Sequence, residues 1–416
     1  MQILSRPVRA LTCVLAVLVC AACSDSEAPA VANAADSAPA SASSVPVALL
    51  SGTTTSTTQP IPIPAPPQVP ARSYYVIDYT TGAVIAAFNE NERVEPASIT
   101  KLMVAYAVFH ALADGRITLD DLVTISRHAR AQEGSRMFVE VGSKVRVEDL
   151  IQGMIVQSGN DATVALAEHV AGSEPVFVDL MNQYAQKLGL VDTHFENSPG
   201  MPSAQHYTTA RDIAVLSAAL IREFPQYFKW YSQREFTWNK ITQPNRNGLL
   251  DRDPSIDGLK TGHTESAGYC LVATGMRDGM RIISVVMGAP SVRAREDASL
   301  ALINYGFRFF ETKHLIAADK PVLTARVWKG EVNEIALAPR EDIYVTVPRG
   351  QDAALAGAAD VAHPLLAPLE RATAAGKLRI TRGENLVGTY DLYPVADVPP
   401  AGVFGRLWDE VLLMFE

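Results

Sequence analysis

The chain has little cysteine, and most of what it has is crowded at one end: of four cysteines, Cys13, Cys20 and Cys23 lie in the first 23 residues. Cys270 is then alone in the remainder, which excludes a disulfide framework there. It sits in the strand-like stretch "GYCLVATG", where a small buried hydrophobe is expected. There is no run of five or more basic residues, and the formal net charge is -9. Together these exclude nucleic acid as a partner. The eight histidines contain no HxxxH or HExxH pair, so the spacing of a helical metal site is missing. Apolar material, by contrast, is plentiful. With 416 residues, 48% hydrophobic and 19% charged, the chain has enough for a large core and two globular domains beyond any tail.

The N-terminal stretch "MQILSRPVRALTCVLAVLVCAAC" places Arg6 and Arg9 before an apolar run and ends in small residues, the layout of a secretory signal. The run of roughly ten residues is too short to span a bilayer, which takes about 20. Two processing routes stay open. "CAAC" resembles a lipoprotein box with Cys23 as the lipidated residue, although Cys20 stands where leucine is usual, and "ANA" at 32–34 suits an ordinary signal peptidase. Residues 24–72, rich in Ala, Ser, Thr and Pro, are expected to be a disordered spacer. If Cys23 carries a lipid, Ser24 after it favours sorting toward the outer membrane.

From Ser73 the texture changes. "YYVIDY", a "TTG" turn and "AVIAAF" predict a hairpin, and "SITKLMVAYAVFHALADG" predicts a helix stopped by Gly115. Four helical patterns follow between residues 147 and 221: "VEDLIQGMIVQ", "ATVALAEHVAG", "PVFVDLMNQYAQKLG" and "TARDIAVLSAALIREF". The last opens on the capping-box-like pair Thr209 and Asp212. Strand-like text returns in "EFTWN", "SIDGLKTG", "GYCLVATGM" and "RIISVVMGA", the last two joined by the turn residues "RDG". Strands at both ends with helices between imply an α+β domain, residues 73–313, whose sheet is assembled from distant segments. After a helical "ALINYGFRFFETK", residues 314–398 break into short strands, the pattern of a small all-β domain of sandwich type.

The chemistry rests on three short motifs. Ser98 in "PASITKLM" is the only serine with a lysine three residues on, and at a helix start that spacing places Ser98 Oγ beside Lys101 Nζ. Lysine can take the serine proton only if burial or a nearby positive charge lowers its pKa, and a neighbouring lysine would supply such a charge. The helix N-terminus also aims backbone N–H groups at a developing oxyanion. "SGN" at 158–160 offers a relaying hydroxyl and an amide for a substrate carbonyl. "KTG" at 260–262 offers Lys260 and Thr261 for a carboxylate, and Gly262 would let a peptide approach the strand closely.

SxxK, then SxN, then KTG, in that order, is the signature of penicillin-binding proteins and serine β-lactamases. The surrounding text, "IDYTTGAVIA", "QSGNDA", "LMNQYAQKLGL", "THFEN", "NRNGLL", "DGLKTGHTESAGYCLVA" and "GFRFFET", resembles the low-molecular-mass D-alanyl-D-alanine carboxypeptidases of the type-5 penicillin-binding protein group. The resemblance covers nearly the whole chain from residue 73. It implies a β-lactamase/transpeptidase-like domain, an antiparallel sheet flanked by helices with a helical cluster, followed by the small β-domain. It further implies Ser98 as the acylated nucleophile, Lys101 as general base, Ser158 as proton relay and Asn160 as substrate-orienting group. Lys260 and Thr261, assisted by Arg246, would hold the terminal carboxylate, and the backbone N–H groups of Ser98 and His263 would form the oxyanion hole. The substrate implied is a peptidoglycan stem pentapeptide, no cofactor or metal is needed, and β-lactams would inhibit by acylating Ser98. The place implied is the periplasm, at the outer face of the inner membrane.

Two alternatives stay open: a class A-like β-lactamase, for which Glu196 would have to activate the deacylating water, and a non-catalytic penicillin-recognising sensor. The loop "ENSPGMP" carries "GMP" where the group commonly has "GLD". The C-terminal residues 399–416 place Phe404, Leu407, Trp408, Val411, Leu412 and Phe415 at helical spacing. Such a helix suits a membrane surface, although Asp409, Glu410 and Glu416 outnumber Arg406. Lipid on Cys23 and this helix would then act as two anchors, since stable anchoring usually takes two signals.

Overall fold

The computed structural model describes residues 42–47 and 62–415. The signal segment, Cys23 and the rest of the expected spacer lie outside the described residues. Within that spacer, Ala42–Val47 forms strand β1. It pairs antiparallel with Leu355–Ala362 at the other end of the chain, Ala42 opposite Ala362 and Val47 opposite Gly357. Val47 is buried in the core it meets there. Residues 62–72 also depart from the expectation: Ile63, Val69 and Ala71 pack against a hydrophobic core, and Tyr305 donates its hydroxyl to the Pro64 carbonyl at 2.9 Å. An unpaired sheet edge and a nearby apolar groove give even a Ser- and Pro-rich segment partners that composition does not reveal.

The central sheet has five strands: β2 (Ser73–Asp78), β3 (Val84–Phe88), β4 (Ile256–Thr264), β5 (Gly268–Arg277) and β6 (Met280–Ala289), in the order β3-β2-β6-β5-β4. All its pairings are antiparallel. Because side chains alternate across a strand, one face carries Ile77, Val272, Ile283 and Val285 into one core, and the other carries Val76, Leu271, Ile282 and Val286 into a second.

The first core is built on helices α1 (Lys101–Ala113), α2 (Val147–Val156), α3 (Asn160–Ala171), α4 (Glu174–Lys187) and α5 (Ala210–Glu223). α1 is apolar on every side and buried along most of its length, which is why it occupies the middle of the cluster. α5 starts where the sequence predicts, with Thr209 accepting from the Asp212 N–H at 3.1 Å. The second core lies under α6 (Val292–Phe309), through Leu302, Ile303 and Phe307.

The helix predicted through "FFETK" ends sooner. Phe310 is already extended, and Phe310–Ile316 is strand β7, because its backbone pairs in a second sheet system instead of continuing the helix. The strands that follow it in the chain are β8 (Leu323–Trp328), β9 (Glu334–Ala338), β10 (Ile343–Pro348), β11 (Leu355–Ala362), β12 (Leu365–Leu366), β13 (Gly376–Arg382) and β14 (Asn385–Pro394). They form a seven-stranded sheet, β1-β11-β13-β14-β9-β8-β12, and a two-stranded sheet, β7-β10. Val327, Leu337, Leu378 and Ile380 of the one share a core with Ile316, Val345 and Val347 of the other. Asp78 joins this all-β part to the central sheet. Its buried carboxylate accepts from the Thr80 N–H at 2.7 Å and from the hydroxyls of Thr312 and Thr346.

Candidate active site

Ser98 lies in a 3-10 turn, Ala97–Thr100, that leads into α1, so the helix predicted from the serine onward begins at Lys101. Ala97 takes φ +48, a left-handed conformation rarely adopted by a residue with a Cβ. Two glycines make room for this turn. A Cβ on Gly200, whose φ is +85, would fall 1.9 Å from the Ala97 carbonyl oxygen. A Cβ on Gly262 would lie 2.9 Å from the Pro96 oxygen and 3.2 Å from the Ile99 nitrogen. Gly262 therefore lets β4 approach the turn bearing Ser98. Its missing side chain faces that turn, and Gly262 also borders the cavity beside Ser98, where the expected peptide would lie along the strand.

Lys101 Nζ donates to Ser98 Oγ at 2.9 Å, to Asn160 Oδ1 at 2.7 Å and to the Pro199 carbonyl at 2.7 Å. It is fully buried, and burial pushes its pKa from the ordinary lysine value down to about 7 against the opposing charge of Asp161. Of the two causes allowed by the sequence, burial is the one at work. Lys260 is buried as well, and burial, together with the charges of Lys101, Arg295 and Arg246, holds it well below the lysine range. Its Nζ donates to Ser158 Oγ and to the Thr261 carbonyl, both at 2.9 Å. Lys260 thus lies beneath Ser158, with Thr261 and Arg246 lining the cavity itself.

Ser158 and Asn160 stand at the junction of α2 and α3, with Ser158 at φ +67. Asn160 fastens the loop before it: its N–H donates to the Ser135 carbonyl at 2.7 Å and its Nδ2 to the Glu133 carbonyl at 2.5 Å. Asp161, fully buried, accepts from the N–H groups of Met137 and Phe138 at 2.8 Å and of Val139 at 3.2 Å. That one carboxylate satisfies donors the loop would otherwise bury unpaired.

These groups surround a cavity of about 470 Å³ lined by Ser98, Ser158, Asn160, Thr261, Arg246 and His263. All the predicted site residues of the folded body are thus brought together, Lys101 and Lys260 under the floor. Gly134, Ser135, Met201, Tyr269 and Arg295 also line it and were not singled out from the sequence. Arg295 is buried, gives its guanidinium to the carbonyls of Gly262 and Arg246 at 3.3 and 3.4 Å, and leaves Nε without a partner. Two arginines and no acidic residue line the cavity, so its electrostatics favour an anion. Glu196 is not part of it. That carboxylate is exposed and bonds Ser203 and the Gln205 N–H within its own loop. Cys270 is buried on β5, as expected. Among the described residues no group of His, Cys, Asp and Glu is arranged to hold a metal.

Residues 59–291 match the family described as D-alanyl-D-alanine carboxypeptidase, and residues 310–400 match the penicillin-binding protein 5 C-terminal domain. The D-alanyl-D-alanine carboxypeptidase DacA of Haemophilus influenzae is 42% identical over 354 residues, 84% of this chain and 90% of the relative. The crystal structure of penicillin-binding protein 5 from Haemophilus influenzae superposes with a TM-score of 0.78 at 41% identity, covering 80% of this chain and 99% of that one. Penicillin-binding protein D2 of Listeria monocytogenes, in an ampicillin-bound form, aligns over 58% of this chain and 98% of its own at 28% identity, with a TM-score of 0.54. With a serine and a buried lysine in hydrogen-bond contact at the centre of that fold, the chain belongs to the D-alanyl-D-alanine carboxypeptidase family of serine peptidases, joined to a C-terminal domain of the penicillin-binding protein 5 type.

Proposed function

We propose that Ser98 carries the reaction as a nucleophile activated by Lys101, on a peptidoglycan stem pentapeptide ending in D-Ala-D-Ala. The observation that supports this most directly is Lys101 Nζ at 2.9 Å from Ser98 Oγ, with a pKa of about 7. A neutral amine there takes the hydroxyl proton as Oγ adds to the carbonyl between the two D-alanines. The other two acceptors of Nζ, Asn160 Oδ1 and the Pro199 oxygen, hold its hydrogens and leave the lone pair for Ser98. The oxyanion forms in reach of the Ser98 and His263 backbone N–H groups. As the C–N bond breaks, the proton that Lys101 took from Ser98 is relayed through the Ser158 hydroxyl, held by Lys260 Nζ, to the departing D-alanine amine, so that Lys101 is again neutral and Ser158 again a hydroxyl. Water then hydrolyses the ester and restores the Ser98 hydroxyl. Thr261 and Arg246 receive the terminal carboxylate, with Arg295 adding positive charge behind them. β-Lactams enter the same path at the acylation step.

No acidic side chain lines the cavity to activate a deacylating water as a class A β-lactamase requires, which favours the carboxypeptidase reading. Incubating the protein with a pentapeptide and with a labelled penicillin tests it. D-alanine release together with a slowly hydrolysed acyl-enzyme is expected, and Ser98→Ala abolishes both. Rapid β-lactam turnover without D-alanine release would overturn the assignment.

The proposed place of action is the periplasmic face of a membrane, with Cys23 lipidated. No helix among the described residues is long and apolar enough to cross a bilayer. Helix α7 (Val403–Leu413), however, leaves Phe404 90% and Trp408 66% exposed. Two of the three acidic residues that would repel anionic lipid are turned to internal use: Asp409 accepts from the Lys329 N–H at 2.5 Å and Glu410 pairs with Lys329 Nζ at 2.6 Å. Fractionation of cells carrying Cys23→Ser, with and without residues 403–416, tests both anchors. Full membrane retention of the doubly altered protein would refute this reading.

A further inference from the structure

Glu174, the first residue of α4, carries no role in the mechanism above, yet its carboxylate bonds the two segments that lead into the cavity walls. One oxygen accepts from the Ser198 N–H at 2.9 Å and from the Ser198 hydroxyl at 2.8 Å. The other lies 2.7 Å from His128 Nε2. Ser198 precedes Pro199, whose carbonyl holds Lys101 Nζ at 2.7 Å, and Gly200 and Met201 of the same loop line the cavity. His128 lies in the single-turn helix Arg127–Arg130, which leads into the segment that lines the opposite wall with Gly134 and Ser135.

Traced in full, these contacts close on themselves. Lys101 reaches Asn160, Asn160 holds the carbonyls of Glu133 and Ser135, and the chain before them returns to His128. From there the path runs through Glu174 and Ser198 to the Pro199 carbonyl and back to Lys101. Opening such a circuit at one point loosens every member, because each loop is held at two ends rather than one.

We propose that Glu174 is a positioning residue of this active site: its carboxylate ties the 196–201 loop to the 127–138 segment and, through the Pro199 carbonyl, holds the Lys101 amine on Ser98. The side chain is only 12% exposed. Burial alone would raise its pKa, but the bonds from Ser198 and His128 outweigh it and hold the carboxyl below its ordinary range, so it is an anionic acceptor at neutral pH. A sequence reading passes it over because a glutamate at a helix start is commonplace.

The inference rests on the assignment of Lys101 as the base, and the test separates the two. Acylation by a labelled penicillin is followed across pH for the wild type, Glu174→Ala, Glu174→Gln, Ser198→Ala and Lys101→Ala, with thermal midpoints measured in parallel. Glu174→Ala is expected to acylate at least about tenfold more slowly. Its acid limb should move to higher pH as water reaches Lys101, while the midpoint shows that the fold persists. Glu174→Gln keeps an acceptor for Ser198 and should recover most of the rate, with Ser198→Ala between the two. A folded Glu174→Ala with wild-type rate and pH profile overturns the proposal. If Glu174→Ala fails to fold, Ser198→Ala decides, and an unchanged rate there overturns it too. Normal acylation by Lys101→Ala would sink the base assignment instead, a result that leaves the Glu174 comparison readable through its rate.

Discussion

Replacing Lys101 with methionine tests the central claim through stability as well as activity. The perturbation keeps the length of the side chain and removes the amine. In the folded protein burial lowers the lysine pKa from 10.5 to about 7, which corresponds to roughly 5 kcal/mol of unfavourable burial at low pH. Between those two values the unfolded chain binds a proton that the folded chain does not, so this lysine makes the wild type more stable as pH rises, by about 1.4 kcal/mol per pH unit. Lys101→Met loses that slope. Because the folded lysine is still half protonated at pH 7, its stability relative to the wild type should fall by about 2.3 kcal/mol between pH 7 and pH 9. The Asn160 Oδ1 and Pro199 carbonyl left without a donor cost about 1–3 kcal/mol each. That offset moves the curve without tilting it, and above pH 7, where Lys101 is mostly neutral and its charge no longer acts on Lys260, the slope of Lys260 is shared by the two proteins. Urea midpoints at pH 7, 8 and 9 measure the tilt, and penicillin acylation should fall by about 10²–10⁴. Parallel pH dependences in the two proteins would refute the claim that Lys101 is buried and neutral.

Gly262→Ala should push β4 and the Ser98 turn apart by a few tenths of an ångström, given the 2.9 Å approach to the Pro96 oxygen. It should slow acylation by about tenfold or more while the circular dichroism spectrum stays unchanged. Asp161→Asn cannot accept the three loop N–H bonds as well; a loss of about 2–3 kcal/mol in urea unfolding is expected, together with slower acylation. Asp78→Ala removes the acceptor of Thr312 and Thr346. Calorimetry should then resolve the all-β part as a separate transition, with the acylation rate unaltered because the cavity lies elsewhere.

What the sequence disclosed follows from how locally each feature is encoded. The hairpin, the Thr209 cap and the three motifs each depend on a few neighbouring residues and stand where the sequence places them, and α1 differs only in its first turn. The helix expected through Phe310 stops short because "FETK" suits a helix by propensity alone, and pairing with β10 makes it a strand. Asp161, Arg295 and Glu174 escaped because their partners lie far away in the chain. Nothing beside Arg295 predicts that its guanidinium ends on the carbonyls of Gly262 and Arg246. Likewise, nothing beside Gly262 in the sequence shows that its Cβ would meet the turn of Ser98.

The pairing of β1 with β11 has a consequence for the order of events in folding. Synthesis delivers β1 long before its partner, so this edge of the seven-stranded sheet cannot close until the whole catalytic part between them has been made. Until then β1 waits as a short Ser- and Pro-containing segment, a poor nucleus for aggregation, and β11 keeps an open edge once the rest of its sheet is in place. Closing that edge is thus a late step, and a protease that clipped the chain before residue 62 would leave the catalytic cavity intact while reopening it.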